Sequence, residues 1–159
     1  MPEFNHHSKL EQTDNFKLEQ AIGMQVNRTA FLMTEEIIRR FAAHGYQLST
    51  QDFGILYRLR EQGPMTQVEI ATLMMRDKTT ITRRIDALVK KGLVERIPCK
   101  KDRRCFRISL TDDGLQALTT ITPLVHDFQQ EVLSDIPNDE KVILHKTLKI
   151  ISNKLIEIR

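Results

Sequence analysis

The chain has 159 residues, 40% hydrophobic and 6% aromatic with no Trp, and a net charge of +3. This length suits one compact domain, or a small domain plus an oligomerisation element, around an aliphatic core. Two cysteines exclude a disulfide framework. No stretch approaches the roughly 18–20 apolar residues of a membrane span, and the start Met1–Ser8 has no apolar signal core, so a cytoplasmic protein with no membrane partner is expected.

Residues 1–15 are polar and aperiodic and read as a loose N-terminus. From Leu18 the apolar positions Leu18, Ile22, Val26, Ala30, Met33, Ile37 and Phe41 step by three or four, which predicts one long helix stopping at His44-Gly45. Ser49-Thr50-Gln51-Asp52 opens a second helix through Phe53, Leu56 and Leu59 to Gly63-Pro64. Thr66 with Glu69 forms a capping box for a short third helix, with Ile70, Leu73 and Met74 inward. Asp77 caps a fourth, whose buried side is Ile81, Ile85, Leu88 and Val89 and which Gly92 ends.

Leu93–Ile97 and Phe106–Leu110 are β-prone runs joined by a charged turn, hence a hairpin. Thr111 caps a fifth helix (Leu115, Leu118, Val125, Phe128, Val132) that Pro123 should kink or split. Pro137-Asn138-Asp139-Glu140 opens a last helix bearing Leu144, Leu148, Ile151, Leu155 and Ile158. The expected fold is all-α with a small β-wing. A winged helix-turn-helix occupies residues 47–111, flanked by dimerisation helices at 16–46 and 112–159, whose apolar stripes the small domain does not require.

Charge is concentrated in one window. Residues 76–107 hold twelve Lys/Arg against four acids, a local +8, which leaves −5 on the rest of the chain. Such a surface gains free energy by displacing counterions from a polyphosphate, so double-stranded DNA is the expected partner. With Ile81, Ile85 and Leu88 inward, helical geometry turns Thr79, Thr82, Arg83 and Asp86 outward. Arg83 can pair with guanine O6 and N7, while Lys78, Arg84, Lys90 and Lys91 suit phosphates. The turn Lys100-Lys101-Asp102-Arg103-Arg104 puts four cations on a thin loop suited to a narrow minor groove, with Asp102 placed to hold Arg104. The alternative for each segment is an ordinary solvated helix face or polar turn.

The stretch Thr66–Met74 resembles the first helix of the helix-turn-helix in the MarR family of bacterial transcription regulators. Asp77–Arg96 is similar to that family's recognition helix and first wing strand. Asp102-Arg103-Arg104 and Ser109–Gly114 resemble its wing signature and the start of its fifth helix. The resemblance implies a homodimeric regulator, more often a repressor, on a pseudo-palindromic operator, released by a small ligand or oxidant. It implies that Arg104 is the minor-groove arginine, Asp102 its positioning partner, Thr79, Thr80, Thr82 and Arg83 the major-groove readers, and Gln67 a neighbour of the phosphate backbone. It also implies a pocket for a small aromatic or amphipathic effector, which Met24, Met33, Phe41, His44, Tyr46, Phe53 and Tyr57 could border, although each is more readily read as plain core.

Cys99 and Cys105 bracket Asp102 symmetrically. They are either incidental or a thiol switch, and a disulfide between them would suit a non-hydrogen-bonded cross-strand pair. His6, His7, His44, His126 and His145 lack ligand spacing, so neither metal nor cofactor is expected. No P-loop, G-x-S-x-G or H-E-x-x-H occurs, and the helix dipole accounts for Asp112-Asp113, so catalysis is not expected. A winged helix that binds another protein remains the alternative to DNA.

Overall fold

A computed structural model describes residues 17–99 and 105–158. The expectations for the N-terminus, His6 and His7, and for Lys100, Lys101, Asp102, Arg103 and Arg104 lie outside the described residues. The chain divides into two compact units, Met1–Thr50 and Gln51–Arg159.

The first unit is dominated by α1 (Ile22–Ala43), preceded by a 3-10 turn at Leu18–Gln20. Sequence periodicity predicted one helix from Leu18. The structure breaks it at Ala21, whose extended backbone (φ −69°, ψ 121°) sits at the N-cap position with no side chain able to cap. The expected stripe is only partly buried: Ile37 and Phe41 are covered, whereas Leu18, Ile22 and Val26 face solvent. Glu36 receives both Arg39 (2.8 Å) and Arg40 (2.7 Å), and these guanidinium hydrogen bonds hold its carboxyl down at about 2. At the end of the helix, Gly45 takes φ +85°.

The second unit carries α2 (Thr50–Gln62), β1 (Met65–Thr66), α3 (Gln67–Met74), α4 (Lys78–Lys90), β2 (Val94–Pro98), β3 (Phe106–Leu110), α5 (Asp112–Val132) and α6 (Asn138–Glu157). The sheet is antiparallel with order β1-β3-β2, pairing Met65 with Ile108 and Arg96 with Ile108 across its two ladders. Sequence reading anticipated the hairpin but not β1, because two residues after Gly63-Pro64 are too short for a periodic signal. The core is aliphatic as expected: Ile55, Leu56, Ile70, Ile81, Ile85, Leu88, Ile108, Leu118 and Ile121 are all at most 1% exposed.

Two expectations need correction and a third is narrowed. Leu73 is exposed, and Ala71 joins Ile70 in the core instead, because α3 has only two turns before Met75 redirects the chain. On α5, Leu115 and Val132 are exposed, and the covered row is Ala117, Leu118, Ile121 and Phe128. Pro123 does not split α5, which is continuous over 21 residues. Its missing N–H costs one hydrogen bond of the helical ladder. Among the described residues, no helix is long and apolar enough to cross a membrane.

Candidate nucleic-acid interface

The helix-turn-helix is assembled by short-range hydrogen bonds that the sequence specifies. Thr66 Oγ1 accepts from the Glu69 N–H (3.2 Å), and Glu69 Oε2 accepts from the Thr66 N–H (2.7 Å), completing the capping box of α3. The Thr66 N–H, and the Thr66 hydroxyl that also donates to Glu69 Oε2 (3.0 Å), hold the Glu69 carboxyl below its ordinary pKa, with Arg107 a secondary cause. The turn runs through Met75, which takes the left-handed conformation (φ 49°, ψ 45°) while the Arg76 N–H donates to Ala71 O.

Asp77 then caps α4. Its Oδ1 accepts from the Thr80 N–H (2.8 Å) and its Oδ2 from the Thr80 hydroxyl (2.6 Å), and these bonds lower its pKa. The Thr82 hydroxyl donates to Lys78 O at 2.8 Å. Two of the three threonines assigned to base reading thus have their hydroxyls hydrogen-bonded within the helix and its cap. Thr79, Lys78 and Arg83 are exposed on α4, and Gln67 is half-buried at the start of α3.

The wing is tied to the helices by ion pairs that sequence reading missed. Arg96 of β2 reaches Asp86 of α4. Arg107 of β3 donates to Pro64 O (2.6 Å) and lies 3.7 Å from Glu69 of α3. Arg84, expected to meet phosphate, sits 3.6 Å from the buried Asp52 of α2. The sequence separations are 10, 38 and 32, so no helical or strand periodicity could have flagged these pairs. At the other end of β3, the Thr111 hydroxyl donates to Gly92 O (2.6 Å) and accepts from the Gly114 N–H (3.1 Å), joining the α4 turn to α5.

Cys99 and Cys105 are joined by a disulfide, with Cα atoms 5.4 Å apart. The expected non-hydrogen-bonded geometry is corrected, since the Cys99 N–H donates to Cys105 O at 2.9 Å. This separation is that of a hydrogen-bonded cross-strand pair. An open cleft of about 490 Å³ borders the pair, lined by Pro64, Thr66, Ile97, Pro98, Cys99, Cys105 and Arg107. None of the suggested effector-pocket residues lines it. Phe41 is buried, Met33 and Tyr46 are half-buried, and His44 is exposed with Nδ1 2.9 Å from Arg40 O. Phe53 and Tyr57 stack obliquely at 5.7 Å, with Arg60 over the Tyr57 ring at 4.4 Å. Among the described residues, no cluster of three His, Cys, Asp or Glu could hold a metal ion.

The family model described as MarR matches residues 48–106, which span α2, the helix-turn-helix and the first arm of the wing. An HTH-type transcriptional regulator of Bacillus cereus is 32% identical over 109 residues, 69% of either chain. The chain belongs to the MarR family. PecS, an HTH-type transcriptional regulator of Dickeya dadantii, is 28% identical over 84% of this chain and 81% of its own. A mutant of MarR from E. coli, solved in complex with operator DNA, superposes with a TM-score of 0.75 at 26% identity, covering 82% of this chain and 92% of that one. The winged helix seen here is therefore that of the MarR family.

Proposed function

We propose that this MarR-family chain is a cytoplasmic, sequence-specific DNA-binding regulator, acting as a homodimer on a pseudo-palindromic operator and, in most settings, as a repressor. One observation carries the reading. A capped α4 presents Lys78, Thr79 and Arg83 outward from a wing-braced core, inside the most cationic window of the chain. The relative bound to operator DNA supports the same use of this fold. Arg83 and the threonines Thr79, Thr80 and Thr82 read the major groove; Lys78 and Gln67 meet phosphates; Arg104, steadied by Asp102 and flanked by Arg103, enters the minor groove.

Dimerisation is supported by apolar side chains without cover. On α6 these include Val142, Leu144, Leu148, Ile151 and Leu155, and on α1 Ile22, Val26, Phe31 and Leu32. Isolated exposed leucines are ordinary, but a row of them along one helix gives that helix a face suited to a partner. Two-fold pairing would space the recognition helices about one DNA turn apart, roughly 34 Å. A small effector would release DNA by preferring a dimer with another spacing.

The test is affinity for duplex DNA as a function of salt, with sedimentation to give the oligomeric state. A steep negative log–log slope is expected. A flat slope would favour a protein partner and overturn the DNA reading, and a monomer at micromolar concentration would overturn the dimer.

A further inference from the structure

The two cysteines occupy the point where the wing hairpin passes from a paired ladder to the cationic segment 100–104. We propose that Cys99 and Cys105 are a reversible oxidation site at the root of the wing, closed by a hydroperoxide, and that the closed form binds duplex DNA more tightly than the dithiol. This rests on the DNA-binding reading above.

Placement comes first. The β2–β3 ladder runs to Pro98 opposite Phe106, and the cysteines are the next pair. Their Cα atoms stand 5.4 Å apart, within the span a disulfide bridges and close to the spacing of an ordinary hydrogen-bonded cross-strand pair, so closing or opening the bond requires no change of register. Access comes second. Both residues are half-buried and line the open cleft below the wing, where a small oxidant can reach them. Charge comes third. Arg107 lines the same cleft, and Lys100 and Arg104 are the immediate sequence neighbours of the pair. Cations close to a thiol favour the thiolate, which is the reacting form.

The chemistry balances with a hydroperoxide as oxidant. One thiolate sulfur attacks the terminal oxygen, the O–O bond breaks, and the departing alkoxide or hydroxide takes a proton. The sulfur loses two electrons to become a sulfenic acid and the peroxide gains them. The second sulfur attacks the first, the S–S bond forms, the S–O bond breaks, and the expelled hydroxide leaves as water with the second thiol's proton. A dithiol reductant reverses the bond by exchange.

The consequence falls on the segment between the cysteines, which holds four of the twelve cations of the basic window. Its ends adjoin the last pair of the ladder, where the Cys99 N–H donates to Cys105 O. A covalent tie narrows the conformations open to those ends, so less freedom is lost when the cations settle on DNA. It also removes two groups that can carry negative charge beside a polyanion. Both effects have the same sign.

The full chain should be prepared reduced and peroxide-treated, with mass spectrometry reporting the loss of two hydrogens across the Cys99–Cys105 peptides. Binding to a fluorescent random-sequence duplex is then followed against salt. The oxidised protein is expected to bind on the order of three- to tenfold more tightly. The double variant C99S/C105S, checked for folding by circular dichroism, should match the reduced protein and ignore peroxide. Equal affinities of the two states, tighter binding by the dithiol, a response retained in the double variant, or failure of peroxide to form the bond would each overturn the proposal. If neither state binds duplex although the bond forms, the DNA reading itself has failed and takes this inference with it.

Discussion

Nη1 of Arg84, on α4, lies 3.6 Å from Oδ1 of Asp52 in α2, whose side chain is only 5% exposed. A buried carboxylate opposite a partly exposed guanidinium resists rotation of α4 about its own axis, because turning the helix would leave the acid without that cation. Breaking a fully buried pair is strongly destabilising, but Arg84 is 38% exposed and water screens it. A double-mutant cycle on Asp52→Asn and Arg84→Met, read by urea unfolding, should give a coupling of about 1–2 kcal/mol. A coupling near zero would return Arg84 to the role of a phosphate contact.

Arg83 is the exposed neighbour that the same geometry leaves facing outward. Arg83→Ala should cost on the order of 1–3 kcal/mol of operator binding and relax preference at one base position, with unchanged thermal stability. Selection of duplexes from a random pool with parent and variant measures both. Arg104→Ala should instead weaken binding with little change in the major-groove preference.

Gly114 marks where α5 approaches Leu93, just before the start of β2. A Cβ there would overlap the Leu93 carbonyl oxygen, a backbone atom that cannot swing aside. Gly114→Ala should therefore lower unfolding free energy by about 3 kcal/mol or more, visible as a drop in denaturation midpoint. A neutral result would mean that the wing and α5 separate easily.

Met75 bears a left-handed backbone at the turn of the helix-turn-helix, and its side chain is 63% exposed. Glycine adopts that conformation without a Cβ clash, so Met75→Gly should stabilise the chain by roughly 0.5–1 kcal/mol. Chemical denaturation of the pair of proteins decides the sign.

Asp77 and Glu69 cap successive helices, and hydrogen bonds to Thr80 and Thr66 respectively lower their pKa values. A carboxyl depressed in the folded state stabilises it above the unfolded pKa. That contribution disappears as pH falls from the ordinary 3.8 of Asp through the lower folded value. Asp77→Asn keeps a capping oxygen and does not titrate. Unfolding followed from neutral pH into acid should show a shallower loss for Asp77→Asn than for the parent below pH 4. Parallel curves would show that Asp77 does not contribute to the acid limb.

Much of this protein is local, and the local part was legible. The helix caps Thr66, Asp77 and Thr111, the glycine stops at 45 and 92, and the two strands of the hairpin appear where residue chemistry puts them. These features act over three or four residues, so the chain carries their signal in its own order. The cationic window needed only counting.

Tertiary structure decided what depends on residues distant in sequence. Whether Leu73 or Ala71 enters the core, that Met65–Thr66 adds a third strand, and that Asp52, Glu69 and Asp86 each take an arginine from another element follow from packing, which periodicity does not encode. The cysteine pair shows the division in one place. Symmetric spacing about the turn brought Cys99 and Cys105 opposite each other, but the ladder's alternation, set by which backbone groups pair, made theirs a hydrogen-bonded position.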